Sequence, residues 1–175
     1  MPLKIYGSKS TPTFWAKTFE KDTLSHKPDE FYLSIILKYI RRNGIILDGG
    51  CGLDYLVAYL SSLGYDAIGI DFSKVLIKRP KTLKNTALSV GDITYLPYKE
   101  NTFDTYISEG VFEHMLIMAT MMIPEANIVL KEGGTLIITV PYNNPLRKLK
   151  KPFLARYHYL GQSDTKCFFE YAFTK

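Results

Sequence analysis

The stretch Ile45-Ile46-Leu47-Asp48-Gly49-Gly50-Cys51-Gly52-Leu53-Asp54 joins a short apolar run to a glycine-rich turn. A short apolar run is typical of a strand that is buried on both faces of a sheet. Leu56, Leu60 and Leu63 follow at helical spacing, and Gly64 would end that helix. The stretch therefore predicts a strand, a tight turn and a helix, and the glycines would let a ligand approach the backbone and the N–H groups of the helix start.

The same alternation of strand-like and helix-like segments continues on both sides of this unit. A helix is predicted over 29–40, and further strands over 67–70, 86–90, 103–108 and 135–140. The helix before the last strand is predicted to end at Lys131-Glu132, with Gly133-Gly134 as its stop. Five strands that alternate with helices predict a doubly wound α/β domain, in which a mostly parallel sheet carries helices on both faces.

Length and composition favour a single soluble domain over residues 1–175. It would consist of an aromatic and helical segment 1–43, a core 44–145 and a basic segment 146–175. No apolar run is long enough to span a membrane, and the first residues do not resemble a signal peptide. Two cysteines and three histidines suggest neither a disulfide framework nor a metal site. We therefore expect a cytoplasmic protein without a bound metal.

The positive charge is concentrated at the end of the chain. Residues 1–140 contain 15 Lys and Arg against 15 Asp and Glu, whereas residues 141–175 contain 7 against 2. Such a patch would attract a polyanion such as RNA, or would simply form a solubilising surface, which is the interpretation we prefer.

The ends of the predicted strands carry acidic residues, and ligands of doubly wound sheets bind at those ends. Asp71 ends the second strand, where a carboxylate can accept hydrogen bonds from the ribose hydroxyls of an adenosine, and Phe72 beside it can lie against the adenine. The alternative role for Asp71 is to cap the next helix, for which Ser73 is equally suited. Gly50-x-Gly52 has no third glycine of the dinucleotide fingerprint, so a nicotinamide oxidoreductase is less favoured.

Taken in order, the motifs at the strand ends resemble those of the class I S-adenosylmethionine-dependent methyltransferases, in particular the broad type 11 group. The resemblance covers about residues 30–145 and rests on segments 46–52, 69–73, 91–93, 103–114 and 129–134. It implies that S-adenosyl-L-methionine is the cofactor and S-adenosyl-L-homocysteine the product, with a small molecule as the expected methyl acceptor.

The resemblance also implies roles for individual residues. The methionine part of the cofactor would be surrounded by Asp48, Gly50 and Gly52, with Ser108 and Glu109 along its side near the sulfonium. Asp71 would hold the ribose, and the adenine would be framed by Phe72, Asp92 and Ile93. His114 is the histidine of the motif region, and it would act either as a general base or as a structural anchor of its loop.

The sequence departs from the family at two places. Asp54 stands where the third glycine of the first motif is usual. Family members also continue beyond the fifth strand with a helix and two strands, so here the edge of that strand would be covered by segment 150–175 or would invite self-association. Two alternatives follow: a truncated module that binds without catalysis, or a methyltransferase acting on RNA.

Overall fold

The computed structural model describes Phe19 and residues 30–78, 86–112 and 119–140. Helices and strands alternate through these residues as predicted, except that no helix lies between the third and fourth strands. In chain order they are α1 (Glu30–Tyr39), β1 (Ile45–Gly49), α2 (Tyr55–Ser62), β2 (Asp66–Asp71), α3 (Lys74–Ile77), β3 (Ala87–Val90), β4 (Phe103–Glu109), α4 (Ala119–Val129) and β5 (Leu130–Thr139).

The five strands form one parallel sheet in the order β3-β2-β1-β4-β5. Leu47 in the central strand β1 lies opposite Ile68 of β2 and Tyr106 of β4. The strand order reverses between β1 and β4, and a crevice forms beyond the carboxyl ends of strands at such a switch point. The predicted doubly wound α/β fold is confirmed, and the glycine-rich turn lies at the switch point.

Helices cover both faces of the sheet, and each face has its own apolar core. Successive side chains of a strand point to opposite faces, so Ile46 and Leu47 enter different cores. The core on the side of α4 includes Leu47, Ile70, Phe103, Tyr106, Met122, Ala126 and Val129. The core on the side of α1 and α2 includes Leu33, Ile36, Ile46, Leu56, Leu60 and Ile107. Burial of these side chains is the main stabilising contribution, at about 1.5–3 kcal/mol for each large one.

The end of α4 differs from the prediction. The helix ends at Val129, and Lys131 to Gly134 belong to β5 instead. The N–H groups of Asn101 and Thr102 donate to the carbonyl oxygens of Ile128 and Val129, so the last turn of the helix is satisfied without a glycine cap. Gly133, with φ +68°, lies where the pairing of β4 with β5 shifts register.

Strand β5 is less buried than its apolar sequence predicts. Within the described residues it pairs with β4 alone, and the side chains of residues 135–139 are partly exposed. The basic segment 146–175 lies outside the described residues, so both the covering of this edge by segment 150–175 and self-association through it remain predictions. None of the described helices is long and apolar enough to cross a membrane.

Candidate functional site

The turn after β1 is held by its own backbone N–H groups. Those of Gly50 and Cys51 donate to the carbonyl oxygen of Ile70 at 2.8 and 3.1 Å, and that of Gly52 donates to Oδ2 of Asp71 at 3.1 Å. These three N–H groups are therefore engaged within the protein, whereas the expectation that the N–H groups at the start of α2 are open to a ligand stays a prediction. The N–H groups of Gly50, Cys51 and Gly52 are thus not available to a pyrophosphate, which binds through free backbone N–H groups.

Two glycines in this turn are required by close contacts. Gly50 has φ +85°, and a Cβ there would lie 2.5 Å from Cγ2 of Val111. A Cβ at Gly49 would collide with the hydroxyl group of Tyr106. The turn therefore lies tightly against the end of β4 and the residues after it, and any larger side chain would displace it.

Asp54 departs from the family in its side chain but not in its conformation. It has φ 62°, the left-handed region that glycine favours and that Asp tolerates better than most residues. Asp54 occupies the N-cap position of α2, and its side chain makes no capping hydrogen bond there. The turn thus keeps the backbone path of a glycine at this position.

Asp71 connects the ends of β1 and β2. Its Oδ1 accepts from the N–H of Ser73 at 2.7 Å, and its Oδ2 accepts from Gly52. Burial raises the pKa of Asp71, while these two hydrogen bonds oppose that rise. Ser73 stands at the N-cap position of α3 but makes no side-chain capping bond, so the expectation that its hydroxyl group caps this helix was wrong. The Asp71 carboxylate orders this junction itself.

Asp48 is a buried carboxylate near other acidic groups. Its side chain is 4% exposed, and burial raises its pKa to about 8, with the charges of Glu109 and Asp71 adding to the rise. Among the described residues, none forms a salt bridge with Asp48 or Asp71. Asp48 and Asp71 thus place in the crevice two carboxyl groups that no described residue pairs in a salt bridge.

Ser108 and Glu109 end β4 beside this carboxylate. The Ser108 hydroxyl is buried and donates to the carbonyl oxygen of Gly49 at 2.8 Å, so it binds β4 to the turn. Glu109 is exposed and lies close enough to Asp48 to raise the pKa of that carboxyl. The structure therefore brings Asp48, Asp71 and Glu109 together around the turn.

The residues expected at the adenine lie on the neighbouring loops. Oδ1 of Asp92 accepts from both the N–H and the hydroxyl of Thr94, at 2.8 and 2.7 Å, which makes Asp92 part of a local turn. Ile93 is buried in the core on the α4 side, and Phe72 is half-buried after β2. The N–H of Leu96 donates to Glu125 of α4, so that helix holds this loop.

The structure adds residues that sequence reasoning did not identify. Tyr32 of α1 lies beside Glu109 and Asp48, as the effect of both charges on its pKa shows. The Tyr106 hydroxyl is buried under the turn without a hydrogen-bond partner among the described residues. Phe19, which lies in the aromatic segment 1–43, has the Cε2 atom of its ring 4.0 Å from where a Cβ of Gly52 would be. His114, the candidate base, lies outside the described residues.

Comparison with known proteins agrees with this architecture. Residues 47–138 match the family described as "Methyltransferase domain". The chain is 30% identical over 110 residues to the malonyl-[acyl-carrier protein] O-methyltransferase of Herminiimonas arsenicoxydans. This alignment covers 62% of this chain and 41% of that protein. It is 29% identical over 125 residues to the demethylmenaquinone methyltransferase of Staphylococcus aureus strain JH9, covering 67% of this chain and 51% of that protein.

A solved structure shows the same fold. A SAM-dependent methyltransferase from Methanosarcina mazei superposes with a TM-score of 0.61 at 22% identity, covering 85% of this chain and 80% of the other. The chain spans about half, or less, of the length of the curated relatives it matches. From the strand order, the turn at the switch point and the match over residues 47–138, the chain belongs to the methyltransferase-domain family of class I S-adenosylmethionine-dependent enzymes.

Proposed function

We propose that this chain binds S-adenosylmethionine at the carboxyl ends of β1, β2 and β4 and transfers its methyl group to a small-molecule acceptor. The observation that carries the proposal is the buried Asp48 at the switch point, beside a turn whose N–H groups are already engaged. Such a crevice suits a ligand with a cationic end and no phosphate, which is the chemistry of this cofactor.

The residues present fit the cofactor. Glu109, and Asp48 once it is ionised, supply negative charge next to the glycine turn, where a cationic amino-acid end would lie. Asp71 keeps carboxylate lone pairs beyond its two backbone bonds, and these can accept from ribose hydroxyls. Phe72 and Asp92 stand on the loops where the adenine would lie, and the buried Ile93 contributes to the wall behind them.

The chain's own contribution to the reaction is positioning. When bound, the cofactor supplies a methyl group that is already activated for transfer. The turn and the three carboxylates orient the cofactor, and the crevice limits access of water, as in other reactions whose chemistry resides in a cofactor. A base is needed only for an acceptor that must lose a proton, and His114 remains our candidate for that role.

The relatives support a small-molecule acceptor over RNA. Two are named for malonyl-[acyl-carrier protein] and demethylmenaquinone, and neither name refers to a nucleic acid. We therefore retain the small-molecule acceptor as the proposal, and we interpret the basic segment 146–175 as a solubilising surface that does not bind RNA.

Calorimetry tests the cofactor assignment. The chain should bind S-adenosylmethionine and S-adenosylhomocysteine and should not bind NAD. Binding of NAD alone would contradict the proposal. Transfer of a labelled methyl group to small acceptors would then separate a catalyst from a module that only binds.

Asp71→Ala tests the predicted ribose contact. We expect the binding free energy of S-adenosylhomocysteine to weaken by about 1–3 kcal/mol, since the ribose hydroxyls lose their acceptor. Asp66→Ala is the matched control, because Asp66 is an exposed carboxylate at the other end of the same strand. Equal affinities of the two variants, with native circular dichroism, would remove Asp71 from the site.

A further inference from the structure

The loop after β3 contains a turn over residues 92–95 that is held by hydrogen bonds of its own. Oδ1 of Asp92 accepts from both the N–H and the hydroxyl of Thr94, and the N–H of Tyr95 donates to the carbonyl oxygen of Asp92 at 3.1 Å. A turn that is closed by three internal hydrogen bonds keeps its shape. Its orientation relative to the sheet is therefore set where the chain enters and leaves it.

The start of this turn is held by the sheet. The N–H of Gly91 donates to the carbonyl oxygen of Asp71 at 3.0 Å, which continues the pairing of β3 with β2. A Cβ at Gly91 would lie 2.6 Å from Cδ1 of Ile70, so the backbone lies close against the core at this point. Strand pairing thus fixes the chain as it enters the turn.

The end of the turn depends on a side chain from a distant helix. The N–H of Leu96 donates to Oε2 of Glu125 at 2.8 Å, across 29 positions of the chain. Glu125 is half-buried, and it is the single charged residue of α4. Leu96 is 6% exposed, so its N–H needs a partner within the protein. The Glu125 carboxylate supplies that partner and fixes the chain as it leaves the turn.

A second anchor lies farther along the same loop. The hydroxyl groups of Tyr98 and Ser89 are hydrogen-bonded at 2.7 Å, and the Tyr98 ring packs edge-on against Phe103 with the ring centroids 5.0 Å apart. Ser89 belongs to β3 and Phe103 begins β4, so this anchor fixes the path into β4. Glu125 instead acts directly after the turn.

The orientation of the turn determines where the Asp92 carboxylate points. Its Oδ1 is engaged with Thr94, and among the described residues Oδ2 has no hydrogen-bond partner. A carboxylate oxygen can accept from the exocyclic amine of adenine, but not from the exocyclic oxygen that replaces this amine in hypoxanthine. Hydrogen bonds weaken steeply as their angle falls, so a small rotation of the turn is enough to lose this contact.

We propose that Glu125 is a positioning residue, which holds the Leu96 N–H and so orients the 92–95 turn for Asp92 to distinguish adenine from hypoxanthine. This inference rests on the proposed function and goes beyond it by giving α4 a role in cofactor specificity. Glu125 acts through the turn, whose own hydrogen bonds carry the effect from Leu96 to Asp92.

Calorimetry would compare binding of S-adenosylhomocysteine with binding of S-inosylhomocysteine, which has hypoxanthine in place of adenine. The unaltered chain should bind the adenosyl ligand at least about tenfold more tightly, since the hypoxanthine oxygen would face the Asp92 carboxylate. Glu125→Ala should weaken binding of the adenosyl ligand by about 3- to 10-fold and change binding of the inosyl ligand by less than about twofold. The preference for adenine should therefore shrink.

Two further variants separate positioning from a general loss of stability. Glu125→Gln keeps an oxygen that accepts from Leu96, so both affinities should stay within about twofold of those of the unaltered chain. Asn127→Ala changes an exposed polar residue of the same helix and should leave both affinities unchanged. Hydrogen exchange at the Leu96 amide should be faster in Glu125→Ala than in the other variants.

The role of Glu125 would be overturned if Glu125→Ala bound the adenosyl ligand as the unaltered chain does, or weakened both ligands equally. A loss in Glu125→Gln as large as that in Glu125→Ala, or an unchanged exchange rate at Leu96, would also overturn it. So would an unaltered chain without any preference for adenine. Failure of the unaltered chain to bind either ligand would instead overturn the proposed function itself.

Discussion

The buried carboxyl groups at the two ends of the sheet have different partners, and their pKa values are shifted in opposite directions. At the amino ends of β4 and β5, Asp104 accepts from Lys131 at 2.7 Å and from the N–H of Ile45 at 3.0 Å, with Arg41 at 3.8 Å. These partners lower its pKa, the bond from Lys131 first. At the carboxyl ends, the buried Asp48 has a raised pKa and acidic neighbours.

The difference separates a structural carboxylate from one that we propose binds a ligand. Asp104 joins three strands, because its partners come from the starts of β1 and β5 and from the residues that follow α1. Asp48 forms no salt bridge with a described residue, and burying it while it is ionised costs free energy. Such a cost is typical of functional sites, where a ligand later supplies the missing charge.

The largest change in stability is expected at the amino ends of the strands, where Asp104 lies. Asp104→Ala should lower the free energy of unfolding by about 3 kcal/mol, because it leaves the Ile45 N–H without an acceptor and Lys131 without its partner. Since the pKa of Asp104 is lowered in the folded chain, this contribution is present above about pH 4 and is lost as the pH falls through the folded-state pKa. Urea denaturation at pH 7 and at lower pH would measure it.

Asp66→Ala is the control for that experiment, because Asp66 is exposed near the same edge of the sheet. It should change stability by no more than about 0.5 kcal/mol. A similar loss for both variants would mean that the Asp104 contacts contribute nothing specific.

At the carboxyl ends of the strands, removing a carboxylate should raise the free energy of unfolding instead of lowering it. Asp48→Asn should raise the free energy of unfolding of the unliganded chain by about 2 kcal/mol at pH 9, because an uncompensated buried charge is removed. The pKa of Asp48 is about 8 when folded and about 4 when unfolded, so the wild-type chain loses stability as the pH rises between these values. The gap between variant and wild type should therefore widen from pH 5 to pH 9.

The same variant should bind S-adenosylhomocysteine at least about tenfold more weakly, since an amide lacks the negative charge that an ammonium group needs. Gain of stability with loss of affinity is the signature of a site residue. If Asp48→Asn were less stable at pH 9, the contrast with Asp104 would disappear.

The smallest expected effect is a difference of about 1 kcal/mol between two glycine variants, one of them in the turn between these carboxylates. Gly50→Ala should be destabilised by about 2 kcal/mol, from the left-handed backbone and from the contact with Val111. Gly64→Ala is its control, because Gly64 has a similar φ of +82° and a Cβ added there would have no other atom within 4 Å. It should lose only about 1 kcal/mol. Thermal denaturation would measure the difference, and equal losses would show that the turn is not crowded.

Much of the architecture could be predicted from the sequence because it depends on local patterns. The apolar run 45–47, the stripe of Leu56 and Leu60, and Gly64 after α2 each specify an element through periodicity or backbone preference. The end of α4 could not be predicted in this way. Its last carbonyl groups are satisfied by Asn101 and Thr102, which are distant along the chain.

The candidate site divides in the same way. Sequence alone determined the family and the positions of Asp48, Asp71 and Glu109, since parallel strands bring their carboxyl ends to one edge. Only the tertiary structure decided that Asp71 orders two turns, that Asp48 lacks a described salt-bridge partner and that Tyr32 of α1 lies near Glu109 and Asp48. The reason is physical: hydrogen bonds and pKa values depend on which groups surround a side chain in space, and a helix before β1 carries no sequence signal of the strand end against which it packs.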